Sequence, residues 1–123
     1  MQDKKTTVEQ LKKRIEKFVR DRDWEQFHSP KNLSMAIAIE AAELMEHFQW
    51  HSKNQDLQKL TKSRREIEKE LADIFAYLLS FSSLYDIDLT TALKKKMKIN
   101  ARKYPIRLAR GKALKYTDYV RKP

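Results

Sequence analysis

Residues 33–50, LSMAIAIEAAELMEHFQW, have the length and periodicity of a helix, yet the apolar stripe contains acids. With 100° between successive residues, Leu33, Ile37, Glu40, Leu44, His47 and Trp50 fall along one side, and Glu43 stands one turn above Glu40. Residues 67–85, IEKELADIFAYLLSFSSLY, repeat the anomaly. There Ile67, Glu70, Ile74, Tyr77, Phe81 and Leu84 share a face, and Asp73 sits one turn from Glu70. Each helix therefore offers two carboxylates at i, i+3 on the side that ought to be buried.

An unpaired carboxylate carried into an apolar interior costs several kcal/mol, so a chain keeps one there only with a partner. Four acids from two facing helices outnumber the nearby cations: Lys69 and the weakly basic His47 and His51. A divalent metal is the natural counter-charge, and all-oxygen ligation favours Mg²⁺ or Mn²⁺ over zinc. Spacing alone leaves a second reading open, in which one or two of the acids are exposed and paired with lysines. His47, on the buried stripe, reads as a core histidine.

The remaining composition narrows the fold. One glycine, three prolines and 36% charged residues in 123 indicate one domain, 1–123, of helices joined by short connections, an all-α chain with no Rossmann sheet or β-sandwich. Absence of cysteine excludes thiol catalysis, a disulfide framework and a cysteine-ligated zinc. No apolar run reaches the roughly twenty residues needed to span a bilayer, and nothing resembles a signal peptide, so a soluble cytoplasmic protein without membrane partners is expected. The net charge of +10 sits at one end: residues 94–123 hold twelve Lys or Arg against the single acid Asp118.

Along the chain, Thr6 and Glu9 have capping-box spacing ahead of a helix running to about Arg20. The connection DRDWEQFHSPK (21–31) places Trp24, Phe27 and His28 within five residues, either as a plug for the end of a bundle or as a stacking platform for a planar ligand. Ser29-Pro30 is a helix start. Residues 51–62 read as a polar surface loop, Ser63 and Glu66 as a cap for the second acid-bearing helix, and Asp88 as the cap of a further helix stopped near Pro105. Four helices make a four-helix-bundle-like fold. Phe75, Leu78, Leu79 and Phe81 add more apolar surface than one small bundle hides, which points to a homo-oligomer, a dimer or tetramer.

Taken in order, Asp-Trp-Glu-Gln-Phe-His (23–28), E-x-x-E (40 and 43), Phe-Gln-Trp (48–50), E-x-x-D-x-x-x-Tyr (70, 73, 77) and Lys-x-x-x-Asn-x-x-Lys-Tyr-Pro (96–105) resemble the MazG-like all-α nucleotide pyrophosphohydrolases, and within them the dCTP pyrophosphatase branch. The resemblance runs over about residues 8–119. It implies Mg²⁺-dependent hydrolysis of a nucleoside triphosphate to monophosphate and pyrophosphate, with dCTP or a modified pyrimidine deoxynucleotide as substrate. It assigns Glu40, Glu43, Glu70 and Asp73 as metal ligands and catalytic acids. It places Trp24, Trp50 and Tyr77 around base and sugar, with His28 beside Trp24, and Lys96, Asn100 and Lys103 near the phosphates. A histidine that the branch carries on its first helix is matched here by Ile15, which cannot hydrogen-bond a base.

A rival from another class is a nucleic-acid-binding module using the basic tail. The acids count against it, because four buried carboxylates repel phosphate unless a metal intervenes.

Overall fold

The computed structural model describes residues 1–119, so Arg121 and Lys122 of the basic tail lie outside the described residues. Regular structure among these residues is helical throughout, and it falls into two compact units, Met1–Ile87 and Asp88–Pro123.

The first unit holds α1 (Val8–Asp21), α2 (Pro30–Glu46), α3 (Lys53–Lys62) and α4 (Arg64–Leu84). The long α4 is the spine: α1, α2 and α3 all pack on it. Its interior is small. Val19, Leu33, Ile67 and Leu79 are the buried apolar residues, joined by Ser80 and by Ser82, whose hydroxyl donates to the Leu79 carbonyl.

Local chemistry sets the helix starts. Thr7 and Gln10 form a reciprocal capping box at α1, one residue later than the Thr6–Glu9 pair that the sequence suggests. At α2 the Ser29 hydroxyl accepts from the Asn32 amide and Pro30 occupies the first turn, as expected. The helix ends at Glu46, and residues 47–50 turn away instead of continuing it to Trp50.

Residues 53–62 correct the loop expectation. They form α3, started by a Ser52–Gln55 capping box and docked on α4. Ser63 then ends α3 and begins α4 at once, and its side chain makes no capping bond, so the Ser63–Glu66 box does not form. A residue closing one helix has the wrong backbone angles to cap the next.

In the second unit Asp88 caps α5 (Leu89–Lys103) by accepting from the Thr91 amide, and Pro105 follows its end. A short α6 (Ile106–Ala109) comes next, then Gly111 at φ 72°, a left-handed turn suited to glycine. Tyr104 meets Tyr116 and Tyr119 edge-on, with ring centroids 6.1 and 6.2 Å apart. No described helix is long and apolar enough to cross a membrane.

Leu33, 1% exposed, is the anchor of α2 in this small interior. Leu33→Ala is expected to cost about 2–5 kcal/mol in chemical denaturation, the range for truncating a buried leucine. A loss below about 1 kcal/mol would show that α2 is held from elsewhere.

Candidate active site

The two acid-bearing helices lie against each other, and the packing of α2 on α4 brings their carboxylates together. One oxygen each from Glu40, Glu43 and Glu70 falls within 4.8 Å of the others. Asp73, one turn along α4 from Glu70, shares a cavity wall with Glu40. Asp73 lies outside that group of three and is exposed, contrary to the expectation from its stripe, so the four acids share a neighbourhood through the cavity wall only.

Their mutual repulsion is visible in Glu40. Burial pushes its carboxyl above the ordinary value of 4.5, and a hydrogen bond with Glu43 and the charges of Glu43, Asp73 and Glu70 push the same way. Glu40 Oε2 is buried and has no hydrogen-bond partner among the described residues. A lone-pair donor left unsatisfied amid like charges is a defect in a metal-free protein and a ready ligand in a metal-bound one. The donor set is hard oxygen and the chain has no thiol, so the constellation fits a divalent cation held by carboxylates. His47 Nε2 lies 3.4 Å from Glu70 Oε1, both side chains half-buried, and an Nε2–H there donates to that oxygen. The histidine expected in the core therefore braces a candidate ligand.

Glu40 and Asp73 form part of the wall of a cavity of about 270 Å³, shared with Trp24, His28, Tyr77 and Ser80. Ile15, Phe18, Val19 and Ala76 make the rest of the wall apolar. Two contacts fix the 3₁₀ turn that brings His28 there. Asn32 donates to the Phe27 carbonyl at 2.9 Å, and the Tyr85 hydroxyl donates to the His28 carbonyl at 2.8 Å. Trp24 stacks edge-on against Phe18, with centroids 5.9 Å apart, directly after Asp23 at φ 52°. His28 Nδ1 is buried and also lacks a partner among the described residues.

Trp50 stands apart. It does not line this cavity, is 90% exposed, and holds a left-handed backbone at φ 71°, an uncommon state for a bulky residue. Lys96 and Asn100 are exposed on α5 in the second unit, and the Lys103 ammonium lies 4.7 Å above the Tyr116 ring. Ser80 escaped the sequence reading although the signal was present: it is one turn beyond Tyr77 and two beyond Asp73 on the same face.

The chain resembles known proteins in sequence and in fold. The model of the MazG-like family matches residues 35–119. Mouse (Mus musculus) dCTP pyrophosphatase 1 is 39% identical over 117 residues, covering 94% of this chain and 69% of its own. The human (Homo sapiens) dCTP pyrophosphatase 1 is 38% identical over 114 residues, covering 91% and 67%. The crystal structure of a pyrophosphatase from Archaeoglobus fulgidus superimposes with a TM-score of 0.77 at 40% identity, covering 80% of this chain and 92% of that one.

Because Glu40 binds its proton more tightly folded than unfolded, its contribution to metal-free stability falls as pH rises from about 4.5 through its raised folded value. Glu40→Gln is expected to raise the melting temperature in chelator by a few degrees above that window and to remove the stabilisation by added Mg²⁺. An unchanged melting temperature together with an intact Mg²⁺ response would show that Glu40 is neither strained nor a ligand.

Proposed function

The chain belongs to the MazG-like family, and we propose that it hydrolyses dCTP, or a modified pyrimidine deoxynucleoside triphosphate, to the monophosphate and pyrophosphate. It is a nucleoside triphosphate pyrophosphohydrolase dependent on a divalent metal. The observation that carries this most directly is the convergence of Glu40, Glu43 and Glu70 beside an aromatic-lined cavity that Glu40 also lines. We take residues 1–123 as one MazG-like domain, since the family match spans both compact units.

Glu40, Glu43, Glu70 and Asp73 would hold the ion, Mg²⁺ in this proposal with Mn²⁺ as a substitute. When bound, it screens the charge of the triphosphate and polarises the phosphoryl group under attack. The cavity residues do the remainder. Ile15 and Phe18 exclude water from a flat base, Trp24 and Tyr77 offer aromatic surface, and Tyr77 stands on the same face of α4 as Asp73, towards the sugar and phosphates. His28, which lines the same cavity, is assigned to the edge of the base. The cavity of about 270 Å³ has room for a base. Trp50, strained and exposed, is assigned to closing over the base. Lys96, Asn100 and Lys103 are assigned to the phosphates on their match to the family run alone. In the reaction, the anhydride bond between the α- and β-phosphorus breaks, water supplies the new oxygen, and its proton ends on the products or in solvent. Such an enzyme works where its nucleotides are, in the cytoplasm.

The apolar surface supports a homodimer or homotetramer. The α2 helix carries Met35, Ile39 and Met45 on the side away from its core residues, all exposed, and α4 exposes Leu71, Phe75 and Leu78 along one stripe. A helix apolar nearly all round belongs in an interior, and a second subunit supplies one.

A panel of nucleoside triphosphates with Mg²⁺, with products separated, tests the reaction. Pyrophosphate release greatest with deoxycytidine nucleotides is expected. Glu40→Gln and Asp73→Asn should each lower kcat/KM by at least about 100-fold, at or beyond the loss from disturbing an outer-shell partner. Release of single phosphate, or full activity in both variants, would overturn the assignment. Light scattering should give twice or four times the 14.7 kDa chain mass, and a monomer mass would overturn the oligomer.

A further inference from the structure

The acid cluster has a second side. Glu40 faces the aromatic cavity, while Glu43 and Glu70, whose oxygens lie within 4.8 Å of a Glu40 oxygen, line a separate and more open cleft of about 530 Å³. That cleft also contains Glu46, His47 and Lys59. The aromatic cavity and the open cleft therefore abut across the carboxylates. A nucleoside triphosphate has the same order of parts: an aromatic end, a metal-binding middle and an anionic end.

Lys59 is the single cation lining this cleft, and it arrives there because residues 53–62 are helical and docked on α4. Three lysines among the described residues are half-buried: Lys12, Lys59 and Lys103. Lys12 donates to the Ile87 carbonyl and Lys103 rests over the Tyr116 ring. Lys59 alone has no ion pair or side-chain hydrogen bond among the described residues, although Glu43, Glu46 and Glu70 line the same cleft. A half-buried lysine lining a cleft with acids, paired to none of them, is placed for a third charged group. Its three donors on a flexible stem suit a phosphate approached as a point charge.

We infer that the cleft is the subsite for the β- and γ-phosphates and the departing pyrophosphate, with Lys59 as its positioning cation. This rests on the pyrophosphohydrolase reading of the neighbouring acids. The base would then enter from the α1–α4 side and the pyrophosphate would leave from the α2–α3 side. Lys59 would grip the triphosphate tail and the pyrophosphate but not the nucleoside monophosphate, which has nothing to place in the cleft.

The test is calorimetric titration of the full chain in Mg²⁺ with inorganic pyrophosphate and, separately, with dCMP. Lys59→Gln, Lys59→Arg and the control Lys62→Gln, on the exposed last turn of α3, are compared with the unaltered protein. Loss of one charge-assisted contact should weaken pyrophosphate binding by about tenfold in Lys59→Gln. Lys59→Arg should recover most of it, while dCMP affinity and Lys62→Gln should stay within about twofold. Steady-state kinetics should show the same change as a raised KM for the triphosphate with kcat less affected. Pyrophosphate binding unaltered in Lys59→Gln would overturn the inference, and so would equal weakening of pyrophosphate and dCMP, which would make Lys59 a prop for the site as a whole. Pyrophosphate binding that depends on Lys59, in a chain that turns over no nucleoside triphosphate, would keep the anion subsite and overturn the proposed reaction.

Discussion

The crowding of like charge between α2 and α4 is the constraint on which the rest of the structure depends. Two helices that pack on each other, with Leu33 of α2 and Ile67 of α4 buried, also bring Glu40, Glu43 and Glu70 together, because the acids lie on or beside the same stripes. The raised Glu40 carboxyl, and its Oε2 buried without a partner, are the physical signs of that conflict. Such strain persists only where the surrounding packing enforces it, and a bound cation would relieve it. The His47 contact to Glu70 fits the same logic, since it fixes one oxygen of a group that would otherwise turn away from its neighbours.

A small core is the other side of this arrangement. Val19, Leu33, Ile67 and Leu79 are the buried apolar residues of the first unit. Apolar side chains that would complete a larger interior point outward instead: Met35 and Ile39 on α2, Leu71 and Phe75 on α4. A subunit–subunit contact through those stripes would brace the helices from behind while the acids face the substrate. Stability and site geometry would then rest on the same interface.

The sequence made the acids legible because helical period alone aligns Glu40 with Leu33, Ile37 and Leu44, and Glu70 with Ile67 and Ile74. Ser29-Pro30 was legible for an equally local reason, a cap and a preset backbone angle. The α3 helix was not, because Leu57 and Leu60 are its sole large apolar residues and its lysines and glutamines resemble those of a solvated loop. The Ser52–Gln55 box was the available signal there. Its consequence was out of reach in any case: whether Lys59 reaches the acids depends on how α3 docks on α4, which no local pattern encodes. Trp50 shows the opposite limit. Periodicity assigns it to the α2 stripe, but the helix stops at Glu46 and a left-handed turn carries the ring into solvent.

In the proposed reading, Ile15 leaves base discrimination to another wall of the cavity. Ile15 and Phe18, on α1, contribute shape and dryness to the cavity and no hydrogen bond. Among the wall residues away from the acids, Trp24, His28, Ser80 and Tyr77 bear polar side-chain groups, and His28 Nδ1 is the atom left buried without a partner. Its position follows from backbone contacts: Tyr85 holds the His28 carbonyl and Asn32 holds the carbonyl of Phe27. The first comes from the end of α4 and the second from the first turn of α2, the two helices that carry the acids. In that reading, base recognition and metal binding would be referenced to the same pair of helices. A shift of α2 against α4 large enough to relax the carboxylates would also move the imidazole away from the base.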